Sequence, residues 1–161
     1  MNDLKPNGRN DGHQMDYSRI NDSVFLGSDL CNMGVCLIHG EEFKKLGVTY
    51  EINLSKENNE LPPKEIEGYL WIPVTDGYAP SITQLEAGVA FITAVEKEGK
   101  KVYIHCKNGH ARGPTLVAAY LIKANNISVS QAVDLICTKR GEIHIEDTQK
   151  RVLEDYRSKL T

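Results

Sequence analysis

No stretch of this 161-residue chain is long and apolar enough to read as a membrane span. The N-terminus has no hydrophobic signal core, and the terminal Ser158-Lys159-Leu160-Thr161 offers no cysteine for prenylation, so no stable membrane anchor is expected. Charge of one sign is equally scarce: 19 Lys and Arg stand against 22 Asp and Glu, a net charge of −3 with no basic run, which argues against a nucleic-acid partner. Cysteine occurs only four times, too thinly for a disulfide framework. That usage points to a reducing compartment, the cytoplasm by default. Cys31, Cys36 and His39 lie close together, but no fourth ligand accompanies them, so neither a metal nor any other cofactor is expected.

What the chain does hold suits one globular domain: 40% hydrophobic and 25% charged residues over a length that leaves no room for a second. Residues 1–17, rich in Asn, Asp and Gly, read as a disordered tail, and 18–161 as the folded domain. Val48, Tyr50, Ile52 and Leu54 alternate as in a strand, and Asn53 to Lys64 reads as a polar loop closed by Pro62-Pro63. Ser81 with Gln84, and Ser128 with Gln131, have the spacing of capping boxes. The first opens a helix whose Leu85, Val89, Ile92 and Val95 share a face and which Gly99 ends. Glu146 and Asp147 at one end and Arg157 and Lys159 at the other match the dipole of a last helix. The order predicts an α/β fold, a short and mainly parallel central sheet flanked by helices.

The densest chemical information lies in His105-Cys106-Lys107-Asn108-Gly109-His110-Ala111-Arg112. The strand-like Lys101-Val102-Tyr103-Ile104 precedes it and the apolar helical run Pro114 to Ile122 follows, so a strand-to-helix turn is expected with its amides facing an anion. A thiol beside a helix N-terminus and an arginine is favoured as thiolate. Cys106 is therefore the expected nucleophile. Arg112 can grip two phosphoryl oxygens with its planar fork, and Gly109 allows the backbone to approach the anion closely. Cys31, Cys36 and Cys137 lack such surroundings and read as ordinary small apolar residues.

The pattern H-C-x-x-G-x-x-R resembles the signature of cysteine-dependent protein tyrosine and dual-specificity phosphatases. Val24 to Ser28, Leu46 to Thr49, Ile72 to Gly77 and Lys139 to Ile143 extend that resemblance over residues 18 to 160, toward the compact regenerating-liver and phosphatidylglycerophosphate phosphatases. The resemblance implies a protein tyrosine phosphatase-like fold, no cofactor, and a phosphorylated protein or phospholipid as substrate. It also implies that Asp76, 30 residues before Cys106, is the general acid and base, although an aspartate before glycine is commonly a plain turn residue. Gln149 is a possible holder of the hydrolytic water, and equally a solvated helix-start residue. His105, Lys107, Asn108, Gly109, His110, Ala111 and Gly113 complete the expected phosphate loop.

One departure stands out. The family usually places Ser or Thr after the arginine, where its hydroxyl assists the sulfur as leaving group; here Gly113 stands there, so slow phosphoenzyme breakdown is expected, with Thr115 as a conceivable substitute donor. Lys107 and His110 at the rim suit a substrate with extra negative charge, such as a phosphoinositide, though a lone surface lysine is commonly just solvated. Ser55 occupies the position of a protective second cysteine in some relatives, which leaves Cys31 or Cys36 to approach Cys106. Two further classes stay open: a rhodanese-like sulfurtransferase, favoured by Arg112-Gly113-Pro114, and a phosphate-binding module with little turnover.

Overall fold

Alternation along the strands decides how this chain divides its core. The computed structural model describes residues 16–32, 35–36, 38, 40–59, 62 and 64–161. Seven strands occur among them: Tyr17–Arg19 (β1), Val24–Gly27 (β2), Cys31–Asn32 (β3), Val35–Cys36 (β4), Val48–Ser55 (β5), Gly68–Val74 (β6) and Lys101–His105 (β7). Five form one sheet in the order β1-β2-β7-β5-β6, in which β2, β7, β5 and β6 run parallel and β1 pairs antiparallel with β2. β3 and β4 make a separate two-stranded hairpin.

Five helices flank the sheet: Glu41–Leu46 (α1), Ile82–Lys97 (α2), Arg112–Asn125 (α3), Val129–Lys139 (α4) and Asp147–Lys159 (α5). Odd and even strand positions face opposite sides. Val24, Leu26, Ile52, Leu54, Val102 and Ile104 enter the larger core under α2 to α5, whereas Phe25, Val48 and Tyr103 join Tyr17, Ile38 and Phe43 in a smaller cluster that includes α1. Both expected capping boxes form, with Ser81 and Ser128 each exchanging hydrogen bonds of 2.9 and 3.1 Å with the glutamine three residues on. α3 is buried from Arg112 through Ile122 and is surrounded by the sheet, α2, α4 and α5. A helix apolar on every side has no solvent face to offer, and the fold places it at the centre.

Two expectations change in detail. β5 continues through Asn53 and Ser55, so the polar connection starts at Lys56. Its polar end can be buried because the Asn53 carboxamide accepts the Ser55 N–H at 2.8 Å and donates to the Asn58 carbonyl at 2.7 Å and the Tyr69 hydroxyl at 3.0 Å. Glu60, Leu61 and Pro63 of that connection lie outside the described residues. Of the expected 1–17 tail, residues 1–15 also lie outside them, while Tyr17 opens β1 and is buried.

Candidate active site

Parallel strands bring their C-terminal ends to one edge of a sheet, and loops leaving that edge converge. Here four loops do so: residues 28–29 after β2, 56–58 after β5, 75–78 after β6 and 106–111 after β7. Cys106 is buried at 3% exposure, and its Sγ accepts the Gly109 N–H at 3.2 Å. That curl needs glycine twice over. Gly109 has φ of 68°, and a Cβ there would lie 2.5 Å from the backbone of Gly27. The loop closes directly into α3, whose first residue is Arg112.

Arg112 is the best-held side chain of the group. It is 2% exposed, donates to both carboxylate oxygens of Glu57 at 2.8 and 2.6 Å and to the Val74 carbonyl at 2.9 Å, and lies 3.5 Å from Asp76 Oδ1. The guanidinium beside Glu57 pulls that carboxyl from 4.5 down to about 2. The loop from β6 therefore brings Asp76 to the site, on a turn in which Tyr78 N–H bonds the Thr75 carbonyl and Gly77 takes φ of 82°. Asp76 is 73% exposed, open to solvent on one side and facing the arginine on the other.

Gln149 is fully buried at the start of α5. Its Oε1 accepts the Glu146 N–H at 2.8 Å and its Nε2 donates to the Tyr78 carbonyl at 3.1 Å, so it ties the helix to the Asp76 loop. Thr115 donates its hydroxyl proton to the Ala111 carbonyl at 2.7 Å and has none left for the sulfur. Lys107 and His110 are exposed at the rim, as their positions predict. Lys107, however, shares its surroundings with carboxylates. A cleft of about 450 Å³ on one side is lined by Asp16, Asp29 and Glu57 among others, and one of about 350 Å³ on the other by Glu57, Asp76 and Lys56. The side chains of Cys31 and Cys36, and all of His39, lie outside the described residues.

Arg140 escaped notice in the sequence, although the run containing it did not. It is completely buried and clamps the 106–111 loop from behind, donating to the carbonyls of Gly109 at 2.9 Å and Asn108 at 3.1 Å. Asp16 at 2.9 Å and Glu142 at 3.2 Å balance its charge. Glu57 was missed as well, because a glutamate in a polar loop carries no mark of the arginine it will meet 55 residues later.

A buried cysteine on a curled turn, an arginine fork and an exposed carboxyl group thus meet at a single sheet edge. The family described as dual specificity phosphatase, catalytic domain, matches residues 31–159. This chain belongs to that family. Phosphatidylglycerophosphatase and protein-tyrosine phosphatase 1 of Mus musculus is 32% identical over 158 residues, covering 95% of this chain and 82% of the relative. Dual specificity protein phosphatase 5 of Homo sapiens is 32% identical over 104 residues, 64% of this chain and 27% of the relative. The crystal structure of PTPMT1 in complex with PI(5)P superposes with a TM-score of 0.79 at 27% identity, covering 89% of this chain and 96% of that one. As a dual-specificity phosphatase the chain is an enzyme of the cysteine-dependent type with the expected α/β fold. Among the described residues no helix is long and apolar enough to cross a membrane.

Proposed function

We propose that this phosphatase cleaves phosphomonoesters in two steps through a cysteinyl-phosphate on Cys106. Loop amides and the Arg112 fork hold the phosphoryl oxygens while the sulfur attacks phosphorus in line with the leaving oxygen. Asp76 gives its proton to that oxygen as the bond breaks. The resulting carboxylate then takes a proton from water, whose oxygen attacks the phosphorus and expels the thiolate. His105, Lys107, Asn108, Gly109, His110, Ala111 and Gly113 frame the loop, and Gln149 acts here through the Asp76 loop that it holds. The convergence of Cys106, Arg112 and Asp76 from separate elements carries this reading.

Its substrate is a phosphoprotein or a phosphoinositide-like lipid. The relatives' names speak of phosphatidylglycerophosphate and protein tyrosine, and the solved PTPMT1 holds PI(5)P. A reducing compartment such as the cytoplasm suits the thiolate, the net charge of −3 argues against a nucleic-acid partner, and the two steps as written call on no cofactor. A sulfurtransferase role loses ground to the acid at Asp76. Phosphate release from phosphopeptides and phosphoinositides, assayed side by side, tests the reading. Cys106→Ser should abolish release. Asp76→Ala should lower kcat by about 10²–10⁴-fold with substrate binding retained, and an unaffected rate removes Asp76 from the mechanism.

A further inference from the structure

Directly behind the nucleophile, on the sheet face shared with α1, lies a buried ionisable pair that the two chemical steps do not use. In the β5–β7 register Glu51 is opposite Tyr103 and Asn53 opposite His105, which sets Glu51 and His105 diagonally on one face. His105 Nε2 is 2.7 Å from Glu51 Oε1, with the side chains 2% and 5% exposed. The other ring nitrogen, Nδ1, is 3.3 Å from the carbonyl oxygen of Cys106 itself. Tyr103 stacks on the imidazole with ring centroids 5.5 Å apart. Among the described residues, Asp16, Arg140 and Cys106 also act on Tyr103 in this stack.

Donor and acceptor chemistry constrains the protons here. A carbonyl oxygen only accepts, and an ionised carboxylate only accepts. The ring serves both neighbours at once when Nδ1 carries a hydrogen and a second hydrogen lies between Nε2 and Glu51. With a carboxyl oxygen and a ring nitrogen only 2.7 Å apart in a buried setting, a hydrogen between them satisfies both atoms, and Glu51 favours its staying there.

We propose that Glu51 is a positioning residue for the nucleophile, keeping His105 in the two-proton arrangement whose Nδ1–H holds the Cys106 carbonyl. The Cys106 carbonyl and the Lys107 N–H belong to one peptide group, so a charge-assisted donor at the oxygen makes that amide a stronger donor on the anion-binding loop. The catalytic consequence rests on the phosphatase reading above; the proton arrangement does not.

Nitrogen-15 NMR of the ring in the wild-type protein near neutral pH should find hydrogen on Nδ1 and a shared hydrogen at Nε2. An Nδ1 that carries no hydrogen overturns the proposal. Glu51→Gln keeps size and a hydrogen-bonding oxygen but removes the charge. In that variant the alkylation of Cys106 by iodoacetamide in mildly acidic buffer should slow by about tenfold, the effect of one unit of thiol titration, with kcat lowered more than KM is raised. Alkylation at the wild-type rate across the pH profile overturns the role as surely. If the glutamine variant does not fold, the wild-type spectrum alone decides. Neither the spectrum nor the alkylation needs turnover, so a failed phosphatase assay leaves both decisive, and their failure leaves the two-step reading intact.

Discussion

A Cβ built on Gly113 would stand 3.8 Å from the Cys106 sulfur and 2.9 Å from Leu26 Cδ1, the far end of a flexible side chain. A serine hydroxyl there could reach the sulfur after a small shift of Leu26. Because a hydrogen bond to a charged group is worth about 1.5–3 kcal/mol, Gly113→Ser should speed phosphoenzyme hydrolysis about tenfold or more, read in single-turnover experiments. An unchanged hydrolysis rate would show that the missing hydroxyl is not limiting. Glu57 allows a second test. Its carboxyl is held at about 2 in the folded protein against an ordinary 4.5, so the ion pair stabilises the fold fully above pH 4.5, and this stabilisation is lost as pH falls through about 2. With Glu57 41% exposed, solvent screening reduces the effect to about 1 kcal/mol. Urea midpoints of wild type and Glu57→Gln should therefore differ at neutral pH and converge in acid.

Among the helices, α2 and α3 touch through Gly88, where a Cβ would fall 2.5 Å from Leu116 Cδ1. Gly88→Val should overpack this contact and cost about 1–3 kcal/mol, measurable as a lower Tm; because α3 begins at Arg112, kcat should fall with it. Such elements explain what could be read in advance. The capping boxes, the buried α3 and the turn from His105 to Arg112 are each written within a few consecutive residues, where spacing alone constrains conformation. Glu51, Glu57 and Arg140 are not of that kind. Their partners lie 54, 55 and 31 residues away, and each reads in isolation as an ordinary solvated charge. Asn53 misled in a milder way, since beside its local bonds to Ser55 and Asn58 it needs the Tyr69 hydroxyl of the neighbouring strand, 16 residues on, to be buried at the end of β5.

Over the whole molecule, the loop from Cys106 to Arg112 is held from many directions at once: Gly27 beneath Gly109, Arg140 behind, Glu57 and Val74 on Arg112, and α3 leading away. A ligand that binds this folded site alone must stabilise the entire domain. Vanadate or inorganic phosphate at 100 times its Kd should add about 2.7 kcal/mol and raise Tm by about 5–10 °C, while Arg112→Met should show little shift; an equal shift in both proteins would place the anion elsewhere. The same architecture bears on where a working fragment can be cut. The family match begins at residue 31, yet β1 and β2 lie before it. A fragment trimmed to that boundary would carry every residue from His105 to Arg112 while losing Gly27, the support of Gly109, and Asp16 and Ser18, two partners of Arg140. The smallest piece able to work is thus larger than the smallest piece that can be recognised.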